Sequence, residues 1–544
     1  MTYKISIVLL LLVATQFFSK ADAQSVVSAN KSTSKNENWY NQDLSSDHKF
    51  GMSVDRTYRE LLKEKKSKTV IVAIIDSGID IFHEDLQGKV WTNEAEIAGN
   101  GIDDDHNGYV DDMHGWSFLG NSKGENIGYE NTEECRLFKK LDPKYKDVLP
   151  DQVKIADTAE YHFYLSIKKK YLEEYDKAKK EVEKIAPFAA NYQFADSVMC
   201  LNLHKNEYTL EDLKAFNPDT VKSLKYAKEL LLFLYKQKGF KKSDFKDYLK
   251  QVFVKYYFHE NTAFNPRLTI GDNPEDITDV NYGNSDVTGP DPEHGTHVAG
   301  IIGANRDNGI GIKGVADNIR IMSLRVVPDG DERDKDIALA IRYATKMGAK
   351  VINMSFGKEF SPQKKFIDDA VKDAVAHDVL FVHAAGNDAK DIDTAANYPS
   401  DILLDKSSVK ANWITVGASS IKRGKHLPAV FSNYGKKDVD IFAPGVSIYS
   451  LKPGNQYKEN DGTSMASPMV TGLAAMLRSY YPTLSAAQVK DCILKSAKVY
   501  KHKVFLPEDS GKQKQKVRFN ELSVSGGIAN AYSAVKLAEA MTAR

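Results

Sequence analysis

The sequence is short of cysteine, of net charge and of long apolar runs, and each shortage excludes a class of protein. It has three cysteines among 544 residues, Cys135, Cys200 and Cys492. That number is too small, and of the wrong parity, for a disulfide framework. Two alternatives are left: a single disulfide between Cys135 and Cys200, or three unpaired thiols. Lysine plus arginine equal aspartate plus glutamate at 74 each. No overall field therefore indicates a nucleic acid or an anionic membrane as a partner.

The longest apolar run lies at the N-terminus and is typical of a signal peptide. Lys4 precedes an apolar stretch over residues 5–18, and residues 21–23 (ADA) form a small-x-small cleavage pattern. The run is shorter than the roughly 20 residues needed to cross a bilayer. We therefore expect residues 1–23 to be removed and the chain to be exported, to the periplasm or outside the cell, with no membrane span after cleavage.

Short apolar runs alternate with segments of helical periodicity along much of the chain. Such runs are typical of strands buried on both faces. They occupy residues 70–75, 319–327, 351–354, 379–382 and 413–416, and the helical segments residues 336–347, 364–376 and 465–480. The alternation predicts an α/β fold with a mostly parallel sheet between helices. Ligands of such sheets usually bind beyond the carboxyl ends of the strands.

Residues 120–259 differ from the rest, because they are rich in lysine, glutamate and tyrosine. Apolar side chains recur at three- and four-residue steps over residues 161–185, which predicts a helix that ends before Pro187. Further helices are predicted over residues 219–238 and 244–259. We expect an all-helical insertion whose charged side chains form a solvated face.

Three motifs hold the residue types that a nucleophilic serine needs. A serine hydroxyl is a poor nucleophile until a base takes its proton, and a buried carboxylate must orient that base. The motif IIDSGID places Asp76 at the end of a buried strand, HGTHVAG begins a small-residue helix with His294, and DGTSMASP places Ser464 at the start of an apolar helix. His297 and Ser467 lie about one helical turn further along, so we expect them to be structural.

Together these motifs resemble the subtilisin-like (S8) peptidase family, in which aspartate, histidine and serine follow in this order. The resemblance covers about residues 68–119 and 261–498, and residues 526–535 resemble the closing helix of the family. It implies a secreted serine endopeptidase with a three-layer subtilisin-like fold. The implied organisation is an N-terminal segment (24–67), a peptidase domain (68–119 and 260–544) and the helical insertion between its parts.

The resemblance also assigns roles to single residues. It makes Asp76 the orienting carboxylate, His294 the general acid and base, and Ser464 the nucleophile. Asn387, in VHAAGN, resembles the family's oxyanion asparagine, and the backbone N–H of Ser464 is the expected second donor. No cofactor is required for this chemistry, and the substrates are expected to be proteins or peptides.

Two segments resemble the walls of the family's S1 pocket, where an extended substrate pairs with the chain. The first wall is Ser355, Phe356 and Gly357, and the second is Ala384, Ala385 and Gly386. Small walls beside a phenylalanine favour an apolar or large P1 side chain.

The acidic stretch DDDHNGYVDD has oxygen-bearing residues at alternating positions around a glycine, as in the calcium loop of an EF-hand. The predicted ligands of a structural calcium ion are Asp103, Asp105, Asn107, Tyr109 and Asp111. His114 stands where an EF-hand has its bidentate glutamate, so another segment must complete the shell. The alternative is a surface turn rich in Asp and Asn. A second acidic cluster is expected to be solvated acid and comprises Asp272, Glu275, Asp276 and Asp279.

Two other functions and several roles of the insertion stay open at this point. A noncatalytic binding protein could keep the same cleft, and a peptide ligase or cyclase would use the same acyl-enzyme but exclude water. The insertion could gate the cleft, bind a partner of unknown identity or stiffen the fold.

Overall fold

The computed structural model describes residues 37–508 and 515–543. The predicted signal peptide lies outside the described residues. From Asn38 onward the chain forms one unit that includes the helical insertion. Among the residues that the structure describes, no helix has both the length and the apolar character of a membrane span.

Nine strands form a single twisted sheet at the centre of the fold, and two short ribbons lie beside it. The described strands are β1 (Val70–Asp76), β2 (Gly115–Ser117), β3 (Ile319–Arg325), β4 (Val351–Met354), β5 (Leu380–Ala384), β6 (Trp413–Ser419), β7 (Ile441–Pro444), β8 (Ile448–Lys452), β9 (Gln456–Asn460), β10 (Lys498–Val499), β11 (Lys503–Phe505), β12 (Lys516–Arg518) and β13 (Gly527–Ile528).

The order of strands in the sheet is β10-β13-β7-β6-β5-β4-β1-β3-β2. Neighbours are parallel except for β10 and β13. The chain leaves β1 towards β2 and β3 on one side and returns to β4 on the other. The strand order thus reverses at β1, where open α/β sheets form a crevice at their carboxyl edge.

Helices cover both faces of the sheet. The described helices are α1 (Val54–Thr57), α2 (Glu133–Tyr145), α3 (Thr158–Leu203), α4 (Leu210–Ala215), α5 (Lys222–Tyr235), α6 (Lys242–Val254), α7 (Arg267–Ile270), α8 (Glu293–Gly303), α9 (Asp334–Lys346), α10 (Lys364–Ala376), α11 (Thr463–Tyr480), α12 (Ala486–Lys495) and α13 (Ala531–Thr542).

Alternation along β1 shows how the two cores form, because successive side chains of a strand point to opposite faces. Val72 and Ile74 pack in one core with α8 and α11. Ala73 and Ile75 pack in the other with α9 and α10. The predicted α/β class, with a mostly parallel sheet between two helical layers, is confirmed.

The helical insertion contains α2 to α6, and its longest helix corrects the sequence prediction. We predicted that this helix ends before Pro187, but α3 continues through Pro187 to Leu203 over 46 residues. Pro187 and Glu183 are exposed. The carbonyl that loses its helical donor can therefore bond to water, while Val182 and Ala189 pack on the buried face. Tertiary packing on both sides of the proline outweighs the local break.

Part of the N-terminal segment and two of the three cysteines, Cys135 and Cys492, are buried. Trp39 and Tyr40 are fully buried in the core beside α8 and α11. All three thiols are free, so the pair between Cys135 and Cys200 is not formed. Burial raises the pKa of Cys135 to about 12.

Candidate active site

Asp76 and His294 meet at the carboxyl end of β1. The Nδ1 atom of His294 lies 2.7 Å from Oδ1 of Asp76, and the Asp76 carboxylate is buried while the His294 side chain is 39% exposed. Gly295 permits this approach, since a Cβ atom there would stand 2.2 Å from the carbonyl oxygen of Gly78. Helix α8 therefore brings His294 against the strand only with glycine at position 295.

The electrostatic surroundings favour the protonated form of His294. Desolvation lowers the pKa of this imidazole, but the charge of Asp76, its hydrogen bond and the nearby Glu293 and Asp291 together raise it above the usual value. The same carboxylate also accepts a bond from the backbone N–H of Ser77 at 2.7 Å. Asp76 is thus oriented by the turn that follows β1.

Ser464 occupies the first turn of α11, where the first four backbone N–H groups have no partner inside the helix. Its hydroxyl donates to the carbonyl oxygen of Ser355 at 2.9 Å. Among the described residues, no hydrogen bond joins Ser464 to His294. The amide N–H of Ser464 points from the positive end of the helix, which favours negative charge nearby.

Asn387 follows β5, and its side-chain oxygen is already bonded. The Oδ1 atom accepts from the backbone N–H and the hydroxyl of Thr463, both at 2.9 Å. With the oxygen fixed in this way, the Nδ2 amide is the free end of the side chain. Asn387 and Ser464 both line one cleft. The site therefore offers one side-chain donor and one backbone donor.

The two residues that were predicted to be structural are buried beside this site. The Ser467 hydroxyl lies 2.8 Å from that of Ser355, which in turn donates to the carbonyl oxygen of Ser464. The Nε2 atom of His297 lies 3.1 Å from two carbonyl oxygens, those of Ile448 and Lys458. Burial lowers the pKa of His297 to about 3, so the ring is neutral.

A cleft of about 750 Å³ joins Ser464 and Asn387 to both predicted S1 walls. The predicted wall residues that line it are Ser355, Phe356, Gly357, Ala384 and Gly386. Ala385 does not line the cleft: it is fully buried in the core beside Phe442 and Phe519. Side chains alternate along an extended backbone, so Ala385 points away from the face that its neighbours expose.

The insertion also contributes to the lining of this cleft, and the sequence did not show which of its residues do so. They are Thr132, Glu134, Lys170, Glu174, Lys255 and His259, and Glu260, which directly follows the insertion, lines the cleft as well. Most of them are charged. Lys170 and Glu174 lie four positions apart on α3, which is the spacing of an ordinary solvated face. No local pattern distinguishes them from other charged residues of the insertion, so only the tertiary structure finds them.

Buried ion pairs fasten the insertion to the segments that line the cleft. Lys358, which directly follows the first S1 wall, contacts Glu133 of α2 at 2.7 Å and Asp334 at 2.8 Å. Glu133 also pairs with Arg136 at 2.5 Å. Arg136 donates to the carbonyl oxygen of Asp331 at 2.9 Å. Removal of one partner from such a buried network is strongly destabilising.

Asp272, which we expected to be a solvated acid, belongs to a second buried network, so that expectation is wrong. Its carboxylate lies 2.9 Å from Arg267 and also contacts Lys335. Arg267 pairs in addition with Glu130 at 3.1 Å and Asp336 at 2.7 Å. Arg267 is five positions from Asp272, but Lys335 is 63 positions away. The acidic cluster looked solvated because nothing in the local sequence shows that these two basic side chains and Asp272 are buried together.

The acidic loop gathers a different set of carboxylates from the predicted set. Ligand atoms of Glu96, Asp105 and Asp112 lie within 4.8 Å of one another. Asn107 donates from its side-chain amide to Asp105 at 3.0 Å and to Asp112 at 2.8 Å, and Tyr343 donates to Asp112 at 2.5 Å. These donors are neutral, so they leave the negative charge of the three carboxylates uncompensated.

The other two predicted carboxylates of the loop hold backbone turns. Asp103 accepts from the N–H groups of Asn107 and Gly108 at 2.9 and 2.8 Å. Asp111 accepts from the N–H groups of Gly99 and Gly101 at 2.7 and 3.0 Å. Asp105 is therefore the one predicted carboxylate that lies in the cluster of three.

Comparison with known proteins agrees with this geometry. The model of the subtilase family matches residues 67–524, which is most of the chain. Subtilisin DY of Bacillus licheniformis is 39% identical over 206 residues, which cover 38% of this chain and 70% of that protein. A thermophilic serine proteinase of Bacillus sp. (strain AK1) is 41% identical over 205 residues, 38% of this chain and 46% of that protein.

Two further similar proteins match over a smaller share of their length or at lower sequence identity. The cell wall-associated protease of Bacillus subtilis (strain 168) is 37% identical over 208 residues, 38% of this chain and 21% of that protein. A solved protease from Pseudoalteromonas arctica is 25% identical, covers 49% of this chain and 81% of that chain, and has a TM-score of 0.38. The family assignment depends on the family model and the curated relatives: this chain belongs to the subtilase family of serine-type endopeptidases.

Proposed function

We propose that the chain is an exported endopeptidase that hydrolyses peptide bonds through an acyl-enzyme on Ser464. The Ser464 hydroxyl attacks the substrate carbonyl carbon, and His294 takes its proton. The amide of Asn387 and the backbone N–H of Ser464 hold the negative oxygen that forms. His294 then protonates the leaving amine, and water releases the acyl group by the reverse sequence.

The observation that carries this proposal is the 2.7 Å bond between Asp76 and His294 beside the cleft that Ser464 and Asn387 line. Asp76 fixes the ring by its Nδ1 atom, so Nε2 is the atom left to act as base. The Ser464 hydroxyl exchanges its bond to Ser355 for one to His294 when substrate enters. Catalytic hydrogen bonds often form fully only in the complex with substrate.

An extended peptide lies between the two S1 walls in this proposal. Backbone pairing supplies affinity that tolerates many sequences, and the pocket beside Phe356 takes the P1 side chain. The backbone carbonyl of Phe356 accepts a bond from Nε2 of His383 at 2.8 Å. This bond fixes the direction in which the first wall faces the cleft.

Labelling with a fluorophosphonate probe tests the nucleophile. The wild-type protein should be labelled and Ser464→Ala should not, while Ser467→Ala should be labelled as long as it folds. Mass spectrometry of peptide products separates hydrolysis from transfer to a second peptide. Labelling that persists in Ser464→Ala would refute the assignment, and ligated products alone would favour the ligase.

Export is the part of the proposal that depends on the sequence alone. Its support is the charged start, apolar run and small-x-small pattern of residues 1–23, which lie outside the described residues.

A structural calcium ion is also part of the proposal, with a ligand set revised from the predicted one. Its ligands are Glu96, Asp105 and Asp112, whose oxygen donors suit a hard cation. A bound ion would offset their mutual repulsion and tie residues 96–112 to the strand β2 that follows. It takes no part in the chemistry.

A further inference from the structure

The basic residues that line the cleft all have ion-pair partners, whereas some of its acidic residues have none. Every basic side chain there already has a carboxylate partner: Lys170 pairs with Glu134 and Glu359, Lys255 with Glu174, Lys358 with Glu133 and Asp334, Lys390 with Glu359, and His259 with Asp329. Four acidic residues of the lining form no ion pair with any described residue, and these are Glu260, Asp331, Glu332 and Asp388. The cleft thus has unpaired negative charge and no unpaired positive charge.

Among these four residues, Glu332 combines burial with an unbonded carboxylate oxygen. It is only 3% exposed, yet its Oε1 atom has no hydrogen-bond partner. Its backbone does not move freely, because the carbonyl oxygen accepts from Lys358 at 2.8 Å and from Arg136 at 3.3 Å. A buried carboxylate without a partner is costly. Burial raises the pKa of Glu332 to about 7, as expected for such a group.

Glu260, directly after the insertion, is a second carboxylate that is almost fully buried and has no cationic partner among the described residues. It is also 3% exposed, and its carboxylate accepts from the hydroxyl of Thr132 at 3.4 Å. The next residue, Glu133, donates its backbone N–H to the carboxylate of Asp331 at 2.7 Å. Two neighbouring residues of the insertion, Thr132 and Glu133, thus connect the carboxylate of Glu260 to that of Asp331.

We propose that Glu332, with Asp331 and Glu260 beside it, forms a subsite for a lysine or arginine side chain of the substrate. The inference depends on the proposed peptidase function and specifies its substrate class. A cationic side chain would supply both the charge and the hydrogen-bond donors that Glu332 lacks.

The subsite lies on the acyl side of the scissile bond, upstream of P1. Lys358 directly follows the first S1 wall, and its ammonium group holds the backbone of Glu332. The segment with Glu332 follows β3 and the wall follows β4, and these strands flank β1. An extended peptide between the two segments points alternate side chains to opposite sides. The basic residue is therefore expected at one of the positions P2 to P4.

Matched peptides test the proposal with the full-length protein. Each pair differs only by lysine against norleucine at P2, P3 or P4, and kcat/KM is measured for both. At one position lysine should be preferred by roughly ten- to a hundredfold, the range for a buried charge that finds its partner. Glu332→Gln should remove most of this preference, so that the ratio of the two kcat/KM values falls towards one, with the larger loss on the lysine peptide.

Two further variants separate a charge effect from a structural one. Glu260→Gln should reduce the lysine preference in part, and serves if Glu332→Gln does not fold. Glu275→Gln removes one carboxylate outside the cleft, whose partner is the exposed Lys140, and should leave the preference unchanged. Equal cleavage of both peptides at all three positions, or equal loss for both in Glu332→Gln, would overturn the proposal. So would a preference that disappears with a chelator, which would indicate a metal ion between the carboxylates.

Binding to Ser464→Ala distinguishes failure of the subsite from failure of the proposed chemistry. Fluorescence anisotropy should show tighter binding of the lysine peptide, and Glu332→Gln in the Ser464→Ala background should abolish the difference. Selective binding without cleavage by the wild type would refute the peptidase mechanism and keep the subsite. Cleavage without selective binding would do the opposite.

Discussion

The two sides of the cleft are built by different physical means. On the peptidase side, Asp76, His294 and Ser464 stand at a strand end or in the first turn of a helix, so the backbone fixes their positions. On the insertion side, charged groups such as Lys170 and Glu260 are fixed by side-chain contacts with residues far away in the chain. The proposed chemistry thus depends on backbone geometry, whereas the proposed selectivity depends on a network of side chains.

The insertion also has two parts that are stabilised by different interactions. Its base is joined to the peptidase domain by the buried pairs of Glu133, Arg136 and Lys358. Its far end has a separate apolar core, in which Tyr192 of α3 and Leu231 of α5 are buried. Moving the base away from the cleft would break these buried ion pairs, which is energetically costly. This favours an insertion that forms a fixed wall of the cleft over one that acts as a lid hinged at its base.

The largest effect is expected from Ser464→Ala, which tests the peptidase side alone. The variant should lower kcat by about a million-fold, the size known from subtilisin in the same family. Its melting temperature should stay near that of the wild type, because the hydroxyl makes one hydrogen bond to a neighbouring carbonyl. Active-site titration and thermal melting check both parts, and a modest loss of rate would mean that another residue is the nucleophile.

Arg136→Met tests the insertion side and should affect stability first. It leaves Glu133 with one basic partner fewer and should cost about 3–5 kcal/mol of unfolding free energy. It should also raise KM more than it lowers kcat, since Arg136 holds the backbone of Asp331 and Glu332. Lys140→Met is the matched control on the same helix, because its partner Glu275 is exposed. Similar melting curves for the two variants would contradict the importance of the buried network.

Asn387→Ala should lower kcat by about a hundred- to a thousandfold, the size known for the oxyanion asparagine of subtilisin. The reason is the loss of the free Nδ2 donor. KM should change little, because the interaction forms mainly in the transition state. Steady-state kinetics on one peptide checks this, and a rise in KM alone would make Asn387 a binding residue.

Calcium should raise the melting temperature through the cluster of three carboxylates. At a hundred times the dissociation constant the gain is about 2.7 kcal/mol, if only the folded state binds. Asp112→Asn and Asp105→Asn should remove this response, and Glu94→Gln, which changes an exposed neighbour, should keep it. Equal melting of the wild type with calcium and with chelator would leave the loop as a turn held by its own hydrogen bonds.

The smallest effect expected is a shift of the acidic limb of the pH profile. His294 must be neutral to act as base, and its pKa is raised above the ordinary value of about 6.5 by Asp76. Activity should therefore fall as the pH drops through a midpoint above 6.5. Asp76→Asn should lower the midpoint as well as the rate. Glu260→Gln, on the insertion side, should leave it unchanged; a shift there would show that the two sides are coupled electrostatically.

Prediction from the sequence was most successful where the signal is local. The run at residues 351–354 is β4 with the predicted ends, and the helix at residues 364–376 is α10. The closing helix was placed too early: we compared it with residues 526–535, but α13 starts at Ala531 after a short strand. Two-residue strands of this kind are stabilised by their neighbours in the sheet and leave no periodic pattern.

The sequence by itself determined the family of this protein and the chemistry that we propose for it. Strand ends and helix starts have short signatures, so IIDSGID, HGTHVAG and DGTSMASP suffice to propose Asp76, His294 and Ser464 as the catalytic residues. Only the tertiary structure decided what surrounds them. It turned Ala385 into the core, buried Asp272 between Arg267 and Lys335, and placed residues of the insertion in the same cleft as Ser464 and Asn387. The physical reason is that burial and ion pairing depend on contacts between residues of different elements, many of them distant in the chain, which no local pattern of residue types records.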